Sequence, residues 1–475
     1  MQPNKKQDRK MIYTIAAIFM IIFGILIGYL AYFNIFKQKE MSTHSQNLRM
    51  SNLESEVIRG NIYDGSDEQL LLATTDEAGN RVYPYDSLYA HVVGYCQNGK
   101  TGVEALANSE LLYPSYSLTS LFKMAFFNEK FHGRDVQLTV DHRYQEAIAD
   151  AMRGKKGAAV VMEASTGKIL AMYSNPNFDP NEIEADWTAL NTDEEDRPLI
   201  NRATKGLYPP GSIFKVITTL AYMNQNEALD FTYNCPGSIS DSDHDKTYNI
   251  ACYNGTAHGK VDLTSAFAKS CNGYFIALSR TLPEGALKEA AESLGFNKAI
   301  PTDIGYSLSS FRLTEEDTNY EHDATSIGQG RTLTNPFQMA WIAAAIANDG
   351  VAMKPYLVEY AKNQHGKVYD HRLPREAGPL MNEETAERLQ GLMEEVLDHG
   401  TAVSLPEKGL VVGGKTGTAE NETKADHSWF MGYAKDPNDE NKPTISFAVI
   451  VEGGGKGAQS LTVTNSILEA YRSID

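Results

Sequence analysis

Positive charge is in short supply in this 475-residue chain: 43 Lys and Arg stand against 61 Asp and Glu, a formal net charge of −18. Binding nucleic-acid phosphates needs a basic footprint, so the deficit excludes that class of partner and fits a solvated, self-repelling surface. Cysteine is scarce too, and four of them do not make a disulfide scaffold at this length. Internal repeats and low-complexity tracts are missing, which removes solenoids and disordered arrays. With 42% apolar and 22% charged residues, the composition is that of a globular chain long enough for more than one domain.

One apolar run stands apart. From Met11 to Phe36 the residues are apolar or aromatic except Thr14, the glycines and Asn34, long enough for a helix to cross a bilayer. Lys5, Lys6, Arg9 and Lys10 precede it, which predicts a cytoplasmic N-terminus, although Lys37 and Lys39 soften the contrast. A cleaved signal peptide would have a shorter apolar core and a small-residue cleavage site; Ala31-Tyr32-Phe33 is a poor one. The run is therefore read as a retained anchor, with the rest of the chain outside the cytoplasm.

Beyond the anchor, residues 37–134 read as a small mixed module and 135–475 as the main domain. Asp135–Val140 is strand-like and leads into a helix near His142–Met152. Ala158–Glu163 and Lys168–Tyr173 flank a tight glycine turn and predict a hairpin. The acidic stretch from Asn191 to Arg197 reads as an exposed loop. Helical patterns follow at Asp262–Phe267, Pro336–Asn348, Glu383–Leu397 and Asn465–Tyr471, with strands at Leu410–Thr418, Ser428–Ala434 and Thr444–Val451. Strands at both ends with helices between predict an α+β fold: an antiparallel sheet flanked by helices, plus an all-helical lobe.

Cys235 and Cys252 share a loop-like segment and could pair or stay free thiols. By ligand type, Cys235, His244, Cys252 and His258 could hold zinc, though not at the spacing of a known finger. Asp241, Asp243 and Asp245 alternate as in a calcium loop, but Lys246 stands where the turn glycine belongs.

Three motifs carry the chemistry. Ser-x-x-Lys occurs as Ser120/Lys123, Ser165/Lys168 and Ser212/Lys215. Ser165 lies in the hairpin turn, and Ser120 follows a Tyr/Pro/Ser-rich loop. Ser212 follows Pro209-Pro210-Gly211 and precedes a run suited to a buried helix, where positions i and i+3 share a face. Its hydroxyl can then meet the Lys215 amine beside the free N–H groups of a helix start. Alone, a serine after Pro-Gly also reads as a helix cap. Ser270-Cys271-Asn272 offers a second hydroxyl and an amide at a helix end, with Asn272-Gly273 read as a turn; its double, Ser45-Gln46-Asn47, reads as polar linker. Lys-Thr-Gly occurs at Lys100 and at Lys415. Both also fit the phosphate-loop spacing, through Gly94/Gly99 and Gly409/Gly414, which would imply nucleotide binding. Leu410-Val411-Val412 is strand-forming where a phosphate cradle needs a loop, and no helical crossover unit follows either copy, so that reading fails.

The order Ser212-x-x-Lys215, Ser270-x-Asn272, Lys415-Thr416-Gly417 resembles the penicillin-binding proteins. Arg59–Asp64, Arg81–Pro84 and Gly102–Glu104 resemble parts of the membrane-proximal pedestal of the class B, monofunctional members, with Gly65 in place of the usual arginine. Arg59 and Glu104 could form an ion pair or remain solvated. The resemblance implies a D,D-transpeptidase that cross-links peptidoglycan stem peptides and is acylated by β-lactams. It casts Ser212 as nucleophile and Lys215 as base, with Ser270 and Lys415 relaying a proton and Asn272 holding the peptide beside Thr416, Gly417 and Thr418. It implies no metal or organic cofactor, and a polytopic membrane glycan polymerase as partner. Residues 37–157 leave little room for a glycosyltransferase lobe. A D,D-carboxypeptidase, a β-lactamase and a non-catalytic β-lactam receptor are the alternatives; ten residues ahead of the anchor leave no output domain for the last.

Overall fold

Five long, largely buried strands form the centre of the computed structural model, which describes residues 5–32, 57–66, 69–114, 130–243, 246–314, 316–420, 425–455 and 458–474. They are β1 (Lys156–Glu163), β2 (Ile169–Asn175), β3 (Val411–Ala419), β4 (His427–Lys435) and β5 (Ile445–Glu452), ordered β3-β4-β5-β1-β2 with every pair antiparallel. Nearly all their residues are buried, so both faces of the sheet are covered. The continuous apolar runs of β1 and β5 are what a sheet between two helical layers requires. The expected hairpin and the three C-terminal strands lie within two residues of where the sequence puts them.

Two helices, α2 (His142–Ala151) and α8 (Ala458–Ser473), pack against each other and against the sheet; α8 starts well before the Asn465 expected from sequence. Against the sheet also lie α6 (Pro336–Ala347) and α7 (Glu383–Asp398). The side chain of Asn335 caps α6 through the Gln338 N–H at 2.9 Å, Pro336 takes the first helical position, and the helix is buried all round. The helical lobe holds α3 (Lys215–Met223), α4 (Leu263–Ala268) and α5 (Asn272–Ser279).

The chain forms two compact units: Met1–Gly60 with Asn108–Arg134, and Asn61–Ala107 with Asp135–Asp475. The first contains α1 (Lys5–Tyr32) and a short parallel pair of Val57–Ile58 with Phe131–His132. Among the described residues, one helix is long and apolar enough to cross a membrane, Lys10–Leu30, with mean hydropathy 2.5. Arg59 donates to Asn108 Oδ1 at 2.6 Å.

In the second unit Glu104 is fully buried, not solvated, and its carboxylate takes Arg81 Nε at 2.7 Å. Leaving that arginine without its carboxylate is costly. Glu104→Ala is expected to lower stability by roughly 3–5 kcal/mol, read from the denaturant midpoint. Gly65, where the resemblance expects arginine, has no room for a side chain: a Cβ there would sit 2.8 Å from the Leu138 carbonyl oxygen.

Three local expectations change. Asn272-Gly273 opens α5 rather than forming a turn, because the Cys271 sulfur accepts the Tyr274 N–H at 3.4 Å and caps the helix. The acidic stretch begins inside a helix, Ile183–Thr192. The candidate calcium loop is a hairpin of Ser238–Asp243 with Lys246–Ala251, in which Asp241 pairs with Arg280 at 3.0 Å; Asp245 lies outside the described residues. So do His244, Ser45-Gln46-Asn47, Ser120 and Lys123.

Candidate active site

Ser212 sits in a tight 3₁₀ turn, Gly211–Phe214, that runs directly into α3. No side chain caps that turn, so Ser212 is not a helix cap. It lines a cleft of about 1130 Å³ together with Ser270, Asn272, Thr401, Thr416 and Thr418. The three motifs therefore meet in one groove.

The turn is held against the edge strand β3 by an absence of side chains. Gly211 has φ +55, and a Cβ there would lie 2.4 Å from the Thr418 carbonyl oxygen. Its N–H donates to the Gly328 carbonyl at 2.8 Å, and a Cβ on Gly328 would fall 2.0 Å from the Gly211 oxygen. Gly417 likewise leaves 3.0 Å to the Ile213 side chain. Trp429 on β4 donates from Nε1 to the Pro209 carbonyl at 3.0 Å, fixing the chain just before the turn. Backbone thus meets backbone where Gly211 faces Thr418, which sets the Ser212 turn directly against β3.

Lys215 is fully buried, and its ammonium donates to Ser270 O at 2.7 Å, Ser270 Oγ at 3.2 Å and Asn272 Oδ1 at 2.7 Å. Three acceptors use all three N–H bonds of the charged form. Burial still pushes its pKa down to about 8, within reach of a neutral base. Lys415, also buried, lies in the middle of β3, donates to Thr416 O at 3.1 Å and stands 5.7 Å from the Phe267 ring centroid. Burial, and then the charge of Lys215, hold it well below the usual ammonium value.

Ser270 adopts a left-handed conformation, φ +55, between α4 and α5. This bend turns both its hydroxyl and its carbonyl toward Lys215. Asn272 also donates from Nδ2 to Ala251 O at 2.8 Å, which fixes its amide with Oδ1 on Lys215. Sequence reasoning missed Gly211, Gly328 and Thr401, whose hydroxyl bonds that of Thr416. Of these, only Gly211 had a local signal, the Pro-Pro-Gly stop.

The look-alike motifs lie elsewhere. Ser165 is in the β1–β2 turn, and Lys168 pairs with Glu359 at 2.7 Å. The Gly94–Thr101 loop follows a short helix, Ala90–Val93, rather than a strand, and Gly409–Gly414 runs into β3, so neither cradles a phosphate.

Residues 157–471 match the model of the penicillin-binding protein transpeptidase domain. The chain belongs to that family. It is 32% identical to the peptidoglycan D,D-transpeptidase PbpA of Mycolicibacterium smegmatis, over 96% of each chain. A 26% likeness to the peptidoglycan D,D-transpeptidase MrdA of Acinetobacter baumannii covers 82% of this chain and 66% of that one. Among solved structures, the imipenem acyl-enzyme complex of penicillin-binding protein A from Mycobacterium tuberculosis superposes with a TM-score of 0.78 at 31% identity, over 88% of this chain and 99% of that one.

Proposed function

We infer that this chain is a class B penicillin-binding protein, a serine D,D-transpeptidase that cross-links peptidoglycan stem peptides and is acylated by β-lactams. The observation that carries the reading is the meeting of Ser212, Ser270, Asn272, Thr416 and Thr418 in one cleft, with buried Lys215 bonded to two of them. PbpA and the imipenem acyl-enzyme, similar over most of the chain, support it.

Ser212 Oγ attacks the carbonyl of the penultimate D-alanine while its proton passes to neutral Lys215. The N–H groups of Ser212 and Thr418 stabilise the oxyanion. As the carbon–nitrogen bond breaks, a proton relayed by Ser270 and Lys415 reaches the departing amine of the terminal D-alanine. Asn272 and Thr416 hold the donor peptide, and Gly417 lets its backbone lie close to β3. An amine from a neighbouring stem then takes the acyl group and regenerates the Ser212 hydroxyl. The helix α1 anchors the chain with its N-terminus in the cytoplasm and the catalytic domain outside. Residues 37–134 form the pedestal, through which a polytopic glycan polymerase would be engaged.

Incubating the full chain in detergent with a fluorescent penicillin tests the assignment. One adduct is expected, on the peptide containing Ser212, and none in Ser212→Ala. Labelling that persists unchanged in that variant would refute it. Acyl transfer to an added acceptor amine, rather than release by water alone, separates transpeptidation from carboxypeptidase or β-lactamase action.

A further inference from the structure

Three of the four cysteines, Cys235, Cys252 and Cys271, are free thiols that lie together. Cys235 ends the strand Tyr233–Cys235, Cys252 starts the turn Tyr253–Gly255, and Cys271 lies immediately before α5. His258 precedes the strand Gly259–Val261, whose first residue pairs with Cys235. The ligand atoms of these four residues all fall within 4.8 Å of one another. Cys235 and Cys252 sulfurs are 3.6 Å apart, Cys252 and Cys271 sulfurs 3.9 Å, and Cys235 Sγ lies 3.7 Å from His258 Nδ1.

These are the edges of a metal tetrahedron rather than of a disulfide. Two thiolates at about 2.3 Å from a zinc ion stand about 3.8 Å apart, and a thiolate and an imidazole nitrogen about 3.6 Å. A disulfide needs its sulfurs about 2.05 Å apart. Three soft thiolates and one imidazole, with the three cysteines buried, suit a closed structural Zn²⁺ site.

We propose that Cys235, Cys252, His258 and Cys271 bind one Zn²⁺ that fixes the Ser270–Asn272 segment of the cleft. Binding takes the protons from three thiols and releases them to water, while His258 coordinates through Nδ1 and keeps its Nε2 proton. The position of Cys271 gives the ion its consequence. On either side of it, Ser270 and Asn272 contact Lys215. Asn272 also donates to Ala251, the neighbour of Cys252, at 2.8 Å. Two ligands therefore lie directly beside the two ends of one active-site hydrogen bond. The four residues are positioning residues, acting through Ser270 and Asn272. The ligand set differs from the one that ligand type suggested in the sequence, with Cys271 joining and His244 outside the described residues.

The test is the metal content of the full chain, purified in detergent without a polyhistidine tag or added metal. About one zinc per chain is expected, with X-ray absorption giving three sulfurs and one nitrogen in the first shell. Cys252→Ser and His258→Ala should each lower the zinc content, and Co²⁺ exchanged into the wild type should show thiolate charge-transfer and tetrahedral d–d bands. Metal-free chain carrying a Cys235–Cys252 disulfide would overturn the proposal, as would zinc bound without sulfur ligands. These readouts need no acylation assay and stand apart from the transpeptidase reading. The consequence for the cleft rests on that reading: stripping the metal should slow penicillin acylation roughly 10- to 100-fold, in the acylation rate constant rather than in the affinity of the initial complex, with recovery on adding Zn²⁺. Unchanged acylation by the stripped, folded chain would overturn the positioning role alone.

Discussion

Lys215→Ala is expected to slow the acylation of Ser212 by penicillin roughly 10²- to 10⁴-fold, the range of a lost general base. Lys215 starts α3 one turn after the nucleophile, and its amine is bonded to the Ser270 and Asn272 side chains. Burial lowers its pKa to about 8. Only the deprotonated amine can accept the serine proton, so the wild-type rate should rise through pH 8. Below that value it should fall by about tenfold per unit, as the neutral fraction shrinks. Stopped-flow acylation between pH 6 and 10 measures this. A flat profile, or a Lys215→Ala variant retaining the wild-type rate and its pH dependence, would remove Lys215 from the role of base.

Strands were legible where both faces are buried, because β1, β4 and β5 leave runs of apolar residues bounded by turn residues, and Leu410-Val411-Val412 announces β3. The motifs were legible by their order along the chain, and local context separated Ser212 from Ser165. What stayed hidden depends on distances between remote segments. Gly328 touches Gly211 across more than a hundred residues, and nothing around either glycine announces the other. Cys271 gives no signal of its own within Ser-Cys-Asn, because neither its capping of α5 nor its place beside Cys252 can be read from spacing. The bond between Arg81 and Glu104 was hidden for the same reason: both side chains are buried in a core that local pattern does not define.

Gly211→Ala puts the geometry of the oxyanion site to its own test. An alanine at φ +55 costs about 1–2 kcal/mol in backbone strain wherever it is placed. Here the added methyl would also start 2.4 Å from the Thr418 carbonyl oxygen, a backbone atom near the end of a paired strand. Either the Ser212 turn or the edge of β3 must retreat, and a shift of about 1 Å at a reacting centre can cost roughly 10²-fold in rate. Acylation by a fluorescent penicillin is therefore expected to fall at least about 100-fold. Gly409→Ala is the matched control. Gly409 has φ +91, precedes the same strand, and has nothing within 4 Å of the added methyl. It should pay a comparable strain in thermal stability while acylating near the wild-type rate, which isolates the clash from the strain. Equal acylation rates in the two variants would mean that the close approach of Thr418 to Gly211 contributes nothing to catalysis.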